Sequence, residues 1–181
     1  HFSYFLFISS SHVYGYSKKK IKETKRRIPQ NIYGKSKKRV EDYILKNRKE
    51  FNFKIGIARI FNSTGPKQKK GNFVPDMIYK MKKLKNIKNI NQYRDFIHID
   101  DVSRSIKCLI EKQVQNPINI SSGKKINLIK ACKILNKKYV KKEMKYDLKK
   151  GKDIYGDNAL LRKLGIKKFK NITQSLLSYK K

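Results

Sequence analysis

The chain has 181 residues, enough for one domain with a real core or for parts of two interleaved ones. Its 47 Lys and Arg against 13 Asp and Glu leave a formal charge of +34, with Lys spread over nearly every segment. No zinc spacing, homeodomain-like helix or aromatic RNA-binding pattern accompanies that charge, so it reads as compositional drift and not as a nucleic-acid site, although part of it can help attract a diphosphate.

Residues 2–8 form an apolar, aromatic run stopped by Ser9, Ser10 and Ser11, which suits a strand buried on both faces of a parallel sheet. Without neighbours on each side such a strand becomes an exposed apolar edge. The run is far too short to span a membrane, and it has neither a basic leader nor a cleavage pattern, so no membrane segment or signal peptide is expected. A Lys-rich loop leads to a helix predicted over residues 33–50, in which Val40, Tyr43, Ile44 and Phe51 recur at helical spacing. Residues 53–60 alternate as a strand, and Gly65-Pro66 ends it. A second helix fits residues 73–84, with Met77, Ile78, Met81 and Leu84 on one face. Residues 96–99 form a short strand, after which Asp100 or Asp101 suits the N-cap of a helix over residues 102–113. A strand at residues 117–120, a helix capped by Asn127 and running through Leu135, and helices near 158–164 and 173–179 complete the chain. Cys108 and Cys132 sit inside helical apolar patterns, away from any histidine, and read as buried thiols in a reducing, cytoplasmic setting with no metal site. Strands alternating with helices predict an α/β fold with a mainly parallel sheet.

The chemistry centres on Tyr-Gly-Lys-Ser-Lys at residues 33–37. Four residues is about one helical turn, so the Tyr33 phenol and the Lys37 ammonium share a face. A free phenol has a pKa near ~10 and is a poor base at neutral pH, whereas a nearby cation stabilises a phenolate and makes proton exchange with a sugar hydroxyl or carbonyl feasible. The preceding strand delivers its serine cluster to the C-terminal edge of the sheet, where open α/β sheets bind ligands.

In order and spacing, ISSSHVYG (8–15), YGKSK (33–37), ARIFNSTGP (58–66), YRDFIHIDDV (93–102) and NISSG (119–123) resemble the extended short-chain dehydrogenase/reductase family, the NAD-dependent nucleotide-sugar epimerases, dehydratases and reductases. The resemblance covers nearly the whole chain. It implies the C-terminal part of a Rossmann-type, doubly wound parallel sheet with an interleaved smaller α/β substrate domain. Residues 1–65 and 102–123 would belong to the dinucleotide-binding domain, and 66–101 and 124–181 to the nucleotide-sugar domain. Ser10 would be the catalytic hydroxyl, Tyr33 the general acid/base, and Lys37 the group that stabilises its phenolate and holds the nicotinamide ribose. Ser9 and Phe61 would also contact NAD or NADP, while Asn62, the backbone near Val74, and Arg94 would bind a nucleotide-diphosphate sugar, Arg94 through its diphosphate. A cytoplasmic homodimer, with no nucleic-acid or membrane partner, completes the expectation.

Dehydratases of the family carry an acid two positions after the catalytic hydroxyl, where this chain has His12, so dehydration is disfavoured. The stretches at 59–78, 89–96 and 156–166 look most like GDP-6-deoxy-4-keto-hexose reductases, with a 4-epimerase as the alternative. His12 and His98 read as structural, and Asp101 as a helix cap. Ile32 precedes Tyr33 where a Pro is usual, and Lys150 or Lys152 stands where an Arg is expected among the C-terminal substrate contacts. No GxGxxG or GxxGxxG precedes Ser9, so the phosphate-binding loop, first helix and acidic ribose contact are expected upstream of residue 1, and the chain reads as an N-terminally incomplete enzyme or an inactive fragment.

Overall fold

The computed structural model describes residues 3–84 and 87–179. Phe2, which the sequence assigns to the first strand, lies outside them. Three strands, β1 (Tyr4–Ser10), β2 (Lys54–Ile60) and β6 (Pro117–Ile120), form a parallel sheet in the order β1-β2-β6. Tyr4 pairs with Lys54 and Ser10 with Ile60, while Ile57 to Ile60 of β2 pair with Pro117 to Ile120. Two shorter pairs complete the strands: β3 (Asn62–Thr64) runs parallel to β5 (Phe96–His98), and β4 (Tyr93–Arg94) antiparallel to β7 (Ile126–Asn127). The helices are α1 (Ile32–Lys46), α2 (Phe73–Lys82), α3 (Ile99–Glu111), α4 (Leu128–Tyr139), α5 (Ala159–Lys163) and α6 (Ile172–Leu177). Among the described residues no helix is long and apolar enough to cross a membrane.

The period-two rule explains how β2 serves two cores. Ile55 and Ile57 pack with Ile44 of α1, joined by Phe7, Phe51 and Phe53, whereas Ala58 points into a second cluster with Val102, Leu109, Ile118, Ile120 and Leu161. Gly56 is required on that strand, because a Cβ there would collide with the Tyr4 phenol and the Val114 carbonyl, which are hydrogen bonded to each other at 2.8 Å. A third core joins α2, α4 and α6 through Val74, Met77, Met81, Ala131, Leu135 and Leu176. Strand β5 stands between cores, giving Phe96 to this third cluster and Ile97 to the second.

Among the described residues strand β1 lies at the edge of its sheet, with Phe5 46% and Ile8 39% exposed, as expected of such a strand without a neighbour on each side. Two expectations need correction. Helix α1 stops at Lys46 instead of reaching Glu50, because Asn47 turns both its backbone N–H and its Nδ2 back onto Tyr43 O; a single 3-10 turn, Arg48–Glu50, follows. Helix α3 begins at Ile99, three residues earlier than periodicity suggests. Its cap is His98, whose Nδ1 accepts from Asp100 N at 3.1 Å, and not Asp100 or Asp101. Asp101 is buried inside the first turn, where it pairs with Arg104 and accepts from Lys170 N at 2.8 Å.

Candidate active site

Where β1 ends, Ser10 caps a 3-10 turn (Ser11–Val13), its Oγ accepting from His12 N at 3.3 Å. Helix α1 begins beside that turn. Asn31 caps it by accepting from Gly34 N at 2.7 Å, which holds the first turn and puts Tyr33 at the mouth of a cleft. The cleft, about 380 Å³, is lined by Ser10, His12 and Tyr33 on one side and by Phe61, Asn62, Asn72 and Phe73 on the other. A larger cavity of about 640 Å³ among Ile78, Tyr139 and Leu177 holds none of the expected site residues.

Of those residues, Ser10, Tyr33, Phe61 and Asn62 meet at the cleft. Tyr33 is 52% exposed and meets His12 edge-to-face, with ring centroids 5.8 Å apart. Lys37 sits one turn behind, its Nζ 5.8 Å from the Tyr33 ring centre and donating to Ile8 O at 2.8 Å. Ser9 points the other way: its buried Oγ donates to Glu41 at 2.5 Å, and it does not line the cleft. Val74 is wholly buried in the α2-α4-α6 core, so its side chain faces no ligand, while Asn72 and Phe73 just before it reach the cleft. Arg94 donates through Nη1 to Tyr93 O and Lys152 O and through Nη2 to Gln92 Oε1. Its Nε–H and one Nη2–H have no acceptor among the described residues. Burial lowers the Arg94 pKa, and burial, aided by the Arg94 charge, likewise pushes the His12 imidazole down.

Two buried networks hold these groups in register. Glu41 accepts from Ser9, from Arg59 Nε and Nη2 (2.6 Å for Nη2), and from Arg27 at 2.9 Å. Arg59 Nη1 donates to the Tyr14 hydroxyl, which donates to Asn119 Oδ1, both at 2.7 Å. Burial works against the Arg59 charge, but its hydrogen bond to Glu41 leads the effects that together push its pKa up. The second network centres on Asp95, whose carboxylate accepts from Ser122 N and Oγ and from Gly123 N at 2.7 to 3.0 Å. Its backbone carbonyl accepts from Asn62 Nδ2 at 2.9 Å. Burial raises the Asp95 pKa to about 6, against the pull of these donors. Asp95 thus joins Asn62 to the Ser-Ser-Gly turn after β6, where Gly123 adopts φ +73°, a conformation that favours glycine.

Sequence reasoning passed over Asn31, Glu41, Arg59 and Asp95. Asn31 carried a readable signal, a capping residue just before the helix. Arg59 did too, since an arginine inside an apolar strand demands a buried acid, but which acid answers it depends on packing.

A model of the NAD dependent epimerase/dehydratase family matches residues 1–121. The dTDP-4-dehydro-6-deoxyglucose reductase of Escherichia coli is 32% identical over 141 residues, covering 74% of this chain and 45% of its own. The UDP-glucuronic acid 4-epimerase of Bacillus cereus, solved in complex with UDP-glucuronic acid and NAD, superposes with a TM-score of 0.85 at 26% identity, over 97% of this chain and 59% of that one. RMD from Pseudomonas aeruginosa, complexed with NADPH, gives 0.84 at 27% identity, over 97% of this chain and 64% of that one. The chain spans about half the length of the curated relatives it matches.

Proposed function

The chain belongs to the NAD dependent epimerase/dehydratase family, and we propose that it supplies the catalytic residues of an NAD- or NADP-dependent nucleotide-sugar oxidoreductase that reduces the 4-keto group of a GDP-6-deoxy-hexose. The observation that carries this reading is the meeting of Ser10 and Tyr33 in one cleft at the C-terminal end of a parallel strand, with Lys37 one turn behind Tyr33. The 32% identity to a reductase named for a 4-dehydro sugar supports the reaction type.

The residues present fit the nicotinamide end of a dinucleotide. Lys37 Nζ has given one hydrogen bond to Ile8 O and keeps two N–H donors for ribose hydroxyls, while Phe61 lines the cleft. When bound, the nicotinamide supplies the hydride. Ser10 Oγ and Tyr33 Oη hold the sugar carbonyl oxygen, and Tyr33 gives it the phenol proton as the carbonyl carbon is reduced. The Lys37 ammonium offsets the negative charge left on the phenol oxygen. Arg94 directs its two uncommitted N–H groups to the diphosphate, and Asn62, its Nδ2 taken by Asp95, offers Oδ1 to a substrate hydroxyl. The backbone around Val74 borders the nucleotide. On this reading residues 1–65 and 102–123 serve the dinucleotide and 66–101 and 124–181 the nucleotide sugar. The enzyme works in the cytoplasm as a homodimer, supported by the exposed Ile32, Val40 and Tyr43 of α1.

A 4-epimerase is the second reading, favoured by the likeness to the Bacillus cereus enzyme. The test gives the complete enzyme GDP-mannose, or its 4-keto-6-deoxy derivative with reduced nicotinamide cofactor, and identifies products by mass spectrometry. Consumption of the keto sugar with the cofactor supports reduction, and loss of water from GDP-mannose refutes it. Tyr33→Phe is expected to lower turnover at least ~100-fold while nucleotide-sugar binding persists. Near-normal turnover removes Tyr33 from the mechanism.

A further inference from the structure

His12 has no role in the mechanism above, yet it lines the cleft between Ser10 and Tyr33. Its tautomer follows from its neighbours. Asn31 Oδ1 accepts from Gly34 N at 2.7 Å, which fixes the side-chain amide, since the reversed amide would set an NH2 against an N–H. Asn31 Nδ2 therefore faces His12 Nδ1, 3.0 Å away, as a donor. Nδ1 must accept, so the ring proton of a neutral His12 is on Nε2. Burial and the charge of Arg94 both disfavour a second proton. The Asn31 contact at Nδ1 and the edge-to-face contact with Tyr33 hold the ring in place, while the backbone bond from His12 N to Ser10 Oγ fixes the turn that carries it. Nε2 has no protein partner among the described residues.

We propose that His12 is a substrate-contacting residue, locked as the Nε2–H tautomer, that donates a hydrogen bond to an oxygen of the bound sugar beside the reacting carbon. The proposal rests on the nucleotide-sugar reading of this cleft. It gives the position a chemical sense: an imidazole whose Nδ1 lone pair is occupied by Asn31 has none left to remove a proton, so it binds and polarises oxygen where a carboxylate would act as a base. This favours sugars with a carbonyl or hydroxyl oxygen in reach of Nε2 over chemistry that begins with proton abstraction at this corner.

With only 3 histidines in the chain, nitrogen-15 labelling of histidine reads His12 directly, assigned by its loss in His12→Phe. At about pH 7 the free chain is expected to show Nε2 protonated and Nδ1 accepting. Saturation with UDP-glucuronic acid or GDP-mannose should move the Nε2 signal, while UDP or GDP alone should not. His12→Phe should weaken nucleotide-sugar binding about 5- to 10-fold, the worth of one such hydrogen bond, with nucleoside diphosphate binding unchanged; His12→Gln, which keeps an N–H donor, should recover most of the loss. An Nδ1–H tautomer, or an unmoved Nε2 signal at saturation, overturns the proposal and leaves the wider reading standing. Failure of the complete enzyme to bind any nucleotide sugar overturns that reading and the proposal with it.

Discussion

His98 illustrates how one buried side chain carries a pH dependence. Its Nδ1 accepts from Asp100 N, which a protonated ring could not allow, and the Asp100 carboxylate lies 3.3 Å from the same atom. The cap needs a neutral ring and the ion pair a charged one. Burial decides for the neutral form, pushing the pKa below its ordinary 6.5, with Lys170 adding to the effect and Asp100 opposing it. The folded pKa is depressed, so above about pH 6.5 both states are neutral and the group contributes nothing. Below that, the unfolded chain takes a proton that the folded site refuses, and stability falls until the folded ring also titrates. His98→Asn keeps a capping acceptor without the titration. The stability difference between the native chain and His98→Asn, measured by urea unfolding from about pH 7 to 5, should shift in favour of the variant as pH falls. A pH-independent difference would show that His98 titrates alike in the folded and unfolded chains, and a shift against the variant that the folded ring is charged. The comparison matters because Asp95, raised to about 6, and Glu23, also raised by burial, act in the opposite direction over this range.

At the scale of elements, the site depends on how α1 is keyed to the sheet. Its apolar contribution is modest, with Ile44 the only large apolar side chain of α1 that is fully buried among the described residues. The firmer link is Glu41, which reaches Ser9 of β1 and Arg59 of β2 at once, both within a turn of the residues that form the cleft. Taking two charges out of water is costly, so this pair is not a stability gain in itself, but losing one partner strands the other. Glu41→Gln is expected to cost about 3 kcal/mol or more, and replacing Glu41 and Arg59 together by Leu and Met should cost less than the single change. Urea unfolding of the three chains checks this, and equal losses for single and double variants would mean that packing, not charge, keys the helix.

For the whole molecule, the uncovered strand matters most. Among the described residues strand β1 pairs with β2 on one side, and Phe5 and Ile8, on opposite faces of the strand, are partly exposed. An apolar edge strand is a template for association, which the charge of +34 opposes through general repulsion. Added salt screens that repulsion and should promote self-association. Phe5→Lys places a charge on the edge and should reduce light scattering at the same concentration and salt, with little change in the unfolding midpoint. Unchanged scattering would locate the contact elsewhere.

Helix and strand order, the parallel β1-α1-β2 arrangement and the nearness of Tyr33 to Lys37 were legible in the sequence, because each depends on local periodicity or on one helical turn. So was the family, carried by five motifs in order. The short pairs β3-β5 and β4-β7 were not, since two or three residues hold no period and their pairing is decided by neighbours far along the chain. The start of α3 was missed because a buried histidine took the capping role that two aspartates suit better by propensity. Sequence alone nominated the residues for the proposed chemistry. Only tertiary structure decided that Ser9 turns away to Glu41 while Ser10 faces the cleft, that Val74 belongs to a core, and that Asn31 sets the His12 proton. The reason is physical: a hydrogen bond between residues far apart in the chain leaves no trace in local propensity, yet it determines where each donor points.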